Sequence, residues 1–406
     1  MDITQSEYNV AKQNGRIIHT KINILNFDLQ KVSEISGVVL EGSTYNIDAT
    51  SDIRRTCSIS LVPKDNSFNI EYGGKLWMDK YVQIFVGIED VSNNNEVVYS
   101  NLGLYLVNNP NQVYDATNNT ITINGIDLMA KITGMRNGYL EGITYQIKAN
   151  EGIKQVMTAL INTECGFPKY SIDQPSPTIL TPYEMSFGLG STAYNILTQL
   201  RDINANYQTY FDQDGIFWFN AIPSGDNEQI RVDDDIWQKV LISYKKSTDF
   251  ESVKNYIEVF GKTQDDGHTP YGVAYENNPE SPFYVGDINP ITHKYKNEIR
   301  IVLSGGEYDN IYPLAPYSTN VTKFNSLAQQ RANYELYTRC RLQDQIELTC
   351  VPVYWLDVNW LVSITLPNKQ GKEETQKYII KKISTTLGVN GTQNITMMKY
   401  YPFYPF

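Results

Sequence analysis

The side chains able to do chemistry are few and scattered along this sequence. Three histidines are present, His19 in a strand-like segment and His268 and His293 in a long loop. No HExxH, HxxxH or Cys/His cluster accompanies them, so the donor set of a transition-metal site is not expected. GxSxG, P-loop and dinucleotide-turn patterns are absent as well. Gly188, Gly190 and Ser191 in FGLGST resemble an anion-binding helix entry, a spacing that an ordinary turn followed by a helix cap also produces. Asp212, Asp214 and Gly215 suggest part of a calcium loop. With Gly215 in the sixth place, however, Tyr210 stands where an acid is needed and Ala221 where the closing Glu should be. A hairpin turn is the better account. Asp233, Asp234 and Asp235 could join Asp226 or Glu228 around calcium, or form a solvated acidic connection. Any two of the 45 acidic residues could meet as a glycosidase pair, but no motif singles one out. The expectation is a chain with no catalytic, cofactor or metal residues.

The most unusual local feature is aromatic. Tyr400, Tyr401, Phe403, Tyr404 and Phe406 sit in YYPFYPF, where two prolines hold the backbone extended and deny it a helix. Five large rings do not sit comfortably in water. Either the segment packs back on its own domain or it lies in a groove of a partner.

The elements that would position these residues are mostly strands. CSISLVP (57–63), YVQIFVGI (81–88), LGLYLVNNPNQV (102–113) and NTITINGIDL (119–128) follow one another near one end. IELTCVP (346–352), WLVSITLP (360–367), KYIIKKISTTL (377–387) and NITMMKYYP (394–402) follow in the same order near the other. Cys57, Ile59 and Leu61 share one face, as do Ile346, Leu348 and Cys350, and period-two alternation marks half-buried strands. Identity between the halves is low and antiparallel sheets share such rhythm, so the order of elements carries the inference of a duplication. Between the halves, Asn150 is placed to cap a helix bearing Ile153, Val156, Met157, Leu160 and Ile161, and a second helix starts at Ser191 or Thr192. A helix is also expected over 321–339, and 262–296 reads as a long loop. The fold class is mainly β with an α+β insertion and two similar antiparallel β-barrel domains. The first spans 1–135, completed by a strand after 224. The insertion covers 136–223, a connection 224–245, and the second domain 246–406.

Composition narrows the function. A net charge of −11 without a basic run argues against a tightly held nucleic acid and against an anionic membrane surface. No stretch approaches the roughly 18–20 apolar residues of a membrane span, and the first residues lack an apolar core, which points to folding in a cytoplasm without membrane anchoring. The 30 tyrosines serve half-buried sheets and wet interfaces equally. Cys57 and Cys350 fall on the apolar phase of their strands and read as core residues.

Several segments resemble the baseplate hub, or tail-associated, proteins of bacteriophages and related contractile particles. IRRTCSISLVP with KYVQIFVG resembles their opening barrel. EGITYQIKANEGIKQVMTALINTECGF with GLGSTAYNILTQLRDINANYQTYFDQDGIFWF resembles their inserted domain, and DFESVKNYIEVFG the entry to a second barrel. NSLAQQRANYELYTRCRLQDQIELTCVPVYWLDVNWLVSITLP resembles the passage that follows. The resemblance implies a non-enzymatic homotrimer in the virion tail, assembled in the bacterial host cytoplasm. Its two barrels per subunit would form a pseudo-six-fold ring around a channel. The implied partners are a tail tube or distal tail protein on one side and a spike, fibre or tail-tip protein on the other, with DNA only in transit. Acidic charge would discourage DNA from sticking, wherever it faces the lumen. The alternative is a glycan-binding or wall- or capsule-degrading tail protein.

Overall fold

A computed structural model describes residues 3–36, 41–62, 70–114, 119–142, 144–176, 178–263, 267, 269–310, 327–341, 343–367 and 370–402. Phe403, Tyr404, Phe406, His268 and the first turns of the helix expected at 321 lie outside the described residues.

The chain opens with a helix that the sequence expectations did not include, α1 (Gln5–Ala11). Thr4 and Glu7 form a capping box: the Glu7 amide donates to Thr4 Oγ1 (3.2 Å) and the Thr4 amide to Glu7 Oε2 (3.1 Å). Seven strands follow: β1 (Ile18–Leu25), β2 (Lys31–Ser36), β3 (Thr44–Asp48), β4 (Arg55–Leu61), β5 (Tyr81–Asp90), β6 (Glu96–Tyr114) and β7 (Asn119–Ile126). They are antiparallel in the order β3-β4-β7-β6-β5-β1-β2. β4 buries Arg55, Cys57, Ile59 and Leu61 and turns Thr56, Ser58 and Ser60 away, as its alternation requires.

Next comes an α+β unit of β8 (Tyr145–Ile147), α2 (Ile153–Ala159), β9 (Tyr170–Ile172), β10 (Met185–Phe187), α3 (Ala193–Asp202), β11 (Tyr207–Phe211) and β12 (Phe217–Ala221). Gly152, not Asn150, is the N-cap of α2; Asn150 sits two residues earlier with φ +66°. Thr192 caps α3 with a capping box closed by Asn195.

The stretch expected to be a connection contains a helix, α4 (Asp234–Val240), which buries Ile236, Trp237 and Val240. It leads into β13 (Leu241–Asp249). This strand after 224 completes the second β-unit rather than the first, because its partner is a strand of the C-terminal half. Between them the chain leaves the sheet to build β14 (Tyr256–Phe260), β15 (Tyr271–Tyr275), β16 (Arg300–Leu303) and α5 (Leu327–Arg339). The segment read as a long loop thus contains β15. Gly272 lets α5 lie directly on β15, since a Cβ there would come within 2.3 Å of the Ala328 carbonyl oxygen. The last strands are β17 (Gln343–Cys350), β18 (Leu361–Pro367), β19 (Glu373–Thr386) and β20 (Gln393–Lys399).

The second set runs β13-β17-β20-β19-β18, the order of β3-β4-β7-β6-β5. The two sets of strands are therefore halves of one twelve-stranded sheet, joined where β19 pairs with β3. A single apolar core runs through both halves, from Ile59, Ile84 and Ile123 to Ile346, Ile364 and Ile395. A second core joins the α+β unit to β14–β16 and α5, through Met157, Leu197 and Phe211 with Ile257, Val259 and Ala332. The molecule is thus a β layer whose two insertions pack together beside it.

Candidate functional site: the seam between the two β-units

The joint between the halves is built from short strands whose inward residues are large and fully buried. β3 and β19 pair as Lys382↔Asp48, Ile383↔Ile47, Ser384↔Asn46, Thr385↔Tyr45 and Thr386↔Thr44. Tyr45, Ile47, Ile383 and Thr385 are all buried. Gln393, also buried, donates through Nε2 to Thr385 Oγ1 (3.0 Å), the Val353 carbonyl (3.2 Å) and the Tyr45 hydroxyl (3.4 Å), while its Oε1 accepts from the Val353 amide (3.1 Å). A buried amide with this many partners fixes register across three strands, because any slip would strand it without them. At the seam's open end the Lys382 ammonium lies 2.8 Å from Asp48. Burial works to raise the Asp48 carboxyl, and hydrogen bonds from Lys382 and Thr50 outweigh it and hold it below the usual range.

Beneath the seam a chain of polar contacts ties three parts of the molecule together. Arg55 of β4 is buried and reaches Asp357, between β17 and β18, at 2.6 Å. Arg54 donates to Gln208 of β11 (2.8 Å) and lies over the Tyr210 ring at 3.9 Å. Asn359 donates to the same Gln208 oxygen (2.6 Å) and accepts from Lys381 of β19 (3.0 Å). Asp127 accepts from the amides of Arg55 and Met129, each at 2.9 Å. Burial pushes the Asp127 carboxyl up to about 6, and burial, with Arg341 and Arg54 nearby, pulls the Lys381 ammonium down to about 8. Burial opposes the Arg55 charge too, but Asp357 overcomes it and raises the pKa. These groups work as an internal clamp between sheet halves and insertion. No sequence motif marks them, because Arg55 and Asp357 stand 302 positions apart.

The clamp borders a cavity of about 820 Å³ whose lining includes Asp212, Asp214, Trp218, Asp357 and Trp360. Its carboxylates are engaged. Asp212 accepts from Trp218 Nε1 (2.7 Å) and from the amides of Asp214 and Ile216 (2.9 Å each), closing the expected β11–β12 hairpin around Gly215 (φ +73°). Asp214 accepts from Asn101 (2.8 Å).

The other residues singled out from sequence are dispersed. Asp233 caps α4, Asp234 accepts from the Thr365 amide (2.7 Å), and Asp235 pairs with Lys12 (3.0 Å), so the three acids pin α4 to its surroundings. Gly188 and Gly190 lie in the turn before α3, and Thr192 supplies the cap. His19 lies 2.7 Å from Glu89. Cys57 and Cys350 are buried. Among the described residues no three His, Cys, Asp or Glu side chains gather as metal donors, and no helix is long and apolar enough to cross a membrane.

Of the aromatic tail, Tyr400 and Tyr401 are described, and both engage their own chain. Tyr400 is buried against Leu361 and Ile379, and its hydroxyl donates to the Gly225 carbonyl (2.7 Å). Tyr401 stacks under the Arg341 guanidinium at 5.0 Å, and its carbonyl accepts from the Tyr337 hydroxyl.

A sequence family described as a domain of unknown function (DUF5048) matches residues 281–404. No curated protein matches the sequence. Solved structures do share the fold. The 43 kDa tail protein of prophage MuSo2 from Shewanella oneidensis superposes with a TM-score of 0.57 at 10% identity, over 94% of this chain and 98% of that one. A tail protein from Neisseria meningitidis gives 0.57 at 9% identity, over 94% and 96%. A prophage tail protein from Listeria monocytogenes gives 0.53 at 11% identity, over 93% and 94%. The fold is that of phage tail proteins along nearly the whole chain, as the sequence resemblance implied.

Proposed function

We propose that this chain is a structural subunit of a phage tail or a related particle: a homotrimeric hub whose two β-units per copy form a six-lobed ring around a channel. The observation that carries this reading is the repeated strand order, β3-β4-β7-β6-β5 and β13-β17-β20-β19-β18, fused at the β3–β19 seam. Three copies of a duplicated unit give six near-equivalent lobes. One face of such a ring can meet a six-fold tube or distal tail protein, and the other a three-fold spike, fibre or tail-tip protein. DNA would pass through the channel without being held, in keeping with the net charge of −11. The likeness to tail proteins over nearly the full chain supports the tail as its location.

The clamp under the seam suits this role. A ring joint needs two β-units held at one angle, and buried polar groups hydrogen-bonded across elements resist sliding better than apolar contacts alone. A glycan-cleaving role has less support, because Asp212, Asp214 and Asp357 are already committed to donors within the chain. The aromatic tail remains the proposed contact for a neighbouring tail protein through Phe403, Tyr404 and Phe406, with Tyr400 and Tyr401 anchoring its base.

Light scattering on the purified full chain tests the assembly. A mass of three chains is expected. A single-chain mass at every concentration, with reducing sugar released from cell wall or capsule, would overturn the hub reading in favour of the enzymatic one.

A further inference from the structure

One strand lacks the partner that its counterpart has. β3 is hydrogen-bonded on both sides, by β4 and by β19. Among the described residues its counterpart β13 is bonded to β17 alone, and it ends the sheet order. The equivalence holds residue by residue. Cys57 in β4 pairs with Tyr45 and Gly125, and Ile346 in β17 pairs with Lys246 and Met397. Counting outward from these places Asp48 opposite Asp249 in the two units. Both carboxylates accept from the amide two residues on, Thr50 and Glu251, at 2.8 Å each.

The missing partner can be traced the same way. β19 pairs with β18 through residues 373–379, shifts register between Ile380 and Lys382, and then offers the same edge to β3 through 382–386. β6 pairs with β5 through residues 96–106, shifts register between Asn108 and Asn111, and continues to Tyr114 with β7 on its other edge. Pro110 sits within that irregularity, where it removes no ladder bond. Among the described residues, the edge of β6 beyond the shift has no strand beside it. β6 thus holds open the place that β19 fills with β3.

From this geometry we infer that β13 of one copy adds, antiparallel, to residues 111–114 of β6 in a second copy, repeating the β3–β19 seam between molecules. The inference rests on the ring reading and names its joints: three seams within chains alternate with three between them. Both edges carry exposed apolar side chains suited to burial, Ile242 (58% exposed) and Tyr244 on β13, Val113 (47%) and Tyr114 (78%) on β6. A nine-residue unpaired edge is a liability that native sheets cover or blunt with charge. The opposite end of the sheet, β2, is blunted by its Lys31–Glu34 pair. β13 has Lys245 and Lys246 but leaves Ile242 and Tyr244 open.

Register follows from the equivalence. Gln112 pairs in the first unit with Ile121, the counterpart of Gln393, so Gln112 takes the place of Thr385 and faces Lys246 as Thr385 faces Tyr45. The double variant Gln112→Cys/Lys246→Cys is therefore placed for cross-strand disulfides between copies, whose Cβ atoms would lie roughly 4.5–5.5 Å apart. The control is Ser33→Cys/Lys246→Cys, which offers the β2 edge instead. Mild oxidation of the full chain followed by a non-reducing gel, alongside light scattering, is the test. Covalent dimers and trimers at least ten-fold above the control are expected. A trimeric mass with no cross-linking above the control would overturn the joint and leave the hub reading standing. A single-chain mass without cross-linking would overturn both.

Discussion

The two β-units share one strand order and differ in what was placed between the first two strands. In the first unit β3 turns into β4 through residues 49–54. In the second, β13 and β17 are separated by residues 250–342, which build a sheet and a helix before returning to the same position. The sheet does not register the difference: β17 still pairs with β13 on one side and β20 on the other. Strand pairing and core burial thus define the repeat, and connections vary around it. A second difference is more consequential. Tyr45 and Ile47 of β3 are buried by β19, whereas β13 is exposed along nearly its whole length. Equivalent strands thus stand in different surroundings, one inside the sheet and one at its edge.

The comparison breaks most visibly at the clamp, which serves the first joint alone. Arg55→Ala should lower unfolding stability by roughly 3–5 kcal/mol, because it leaves the partly buried Asp357 without its cation. Chemical denaturation reads this directly, and a loss under 1 kcal/mol would mean that the clamp is decorative. Smaller, and sharper as a comparison, is the contrast between the two edges. Ile383→Ala in the seam should cost about 2–4 kcal/mol, while Ile242→Ala on β13 should leave the stability of the single chain within about 0.5 kcal/mol. Equal costs would deny that the two edges differ. Tyr400→Phe removes the hydroxyl bond to Gly225 and should cost about 1 kcal/mol without changing the oligomer mass.

The smallest effect is a pH dependence. The Lys381 value of about 8 lies below the ordinary lysine value of 10.5. Below pH 8 both folded and unfolded chains hold the proton, and the folded state bears the full cost of burying it. Between about pH 8 and 10.5 the unfolded chain binds more protons, so this cost fades and stability rises with pH. Lys381→Met should therefore be stabilised relative to its parent by a margin that shrinks across that window. A margin that grows with pH would contradict the assignment. Asp127 acts in a separate range: its carboxyl is raised to about 6 from 3.8, so its contribution falls as pH rises between those values.

What was legible in the sequence was local. The alternation of Cys57, Ile59 and Leu61, and of Ile346, Leu348 and Cys350, reports burial on one face, and the structure buries all six. Strand order along the chain was legible too, and with it the likeness to tail proteins. What escaped depends on distant partners. Nothing local says that β13 belongs to β17, which lies a whole insertion away. Nothing beside Arg55 in the sequence announces its partner, because Asp357 is 302 positions off. Some misses were nearer. The Thr4/Glu7 box marks the start of α1, but the segment after it has little apolar periodicity to signal a helix. β15 is a five-residue strand among Pro, Gly and Asn, too short to show its period.

The central claim is that the two β-units are equivalent parts of one ring. End-on single-particle electron microscopy of the purified full chain tests it most directly. The account predicts a ring with a central opening and six lobes at near-equal spacing, resolving into alternate pairs related by three-fold symmetry. A particle with three lobes, or a compact one without an opening, would contradict it.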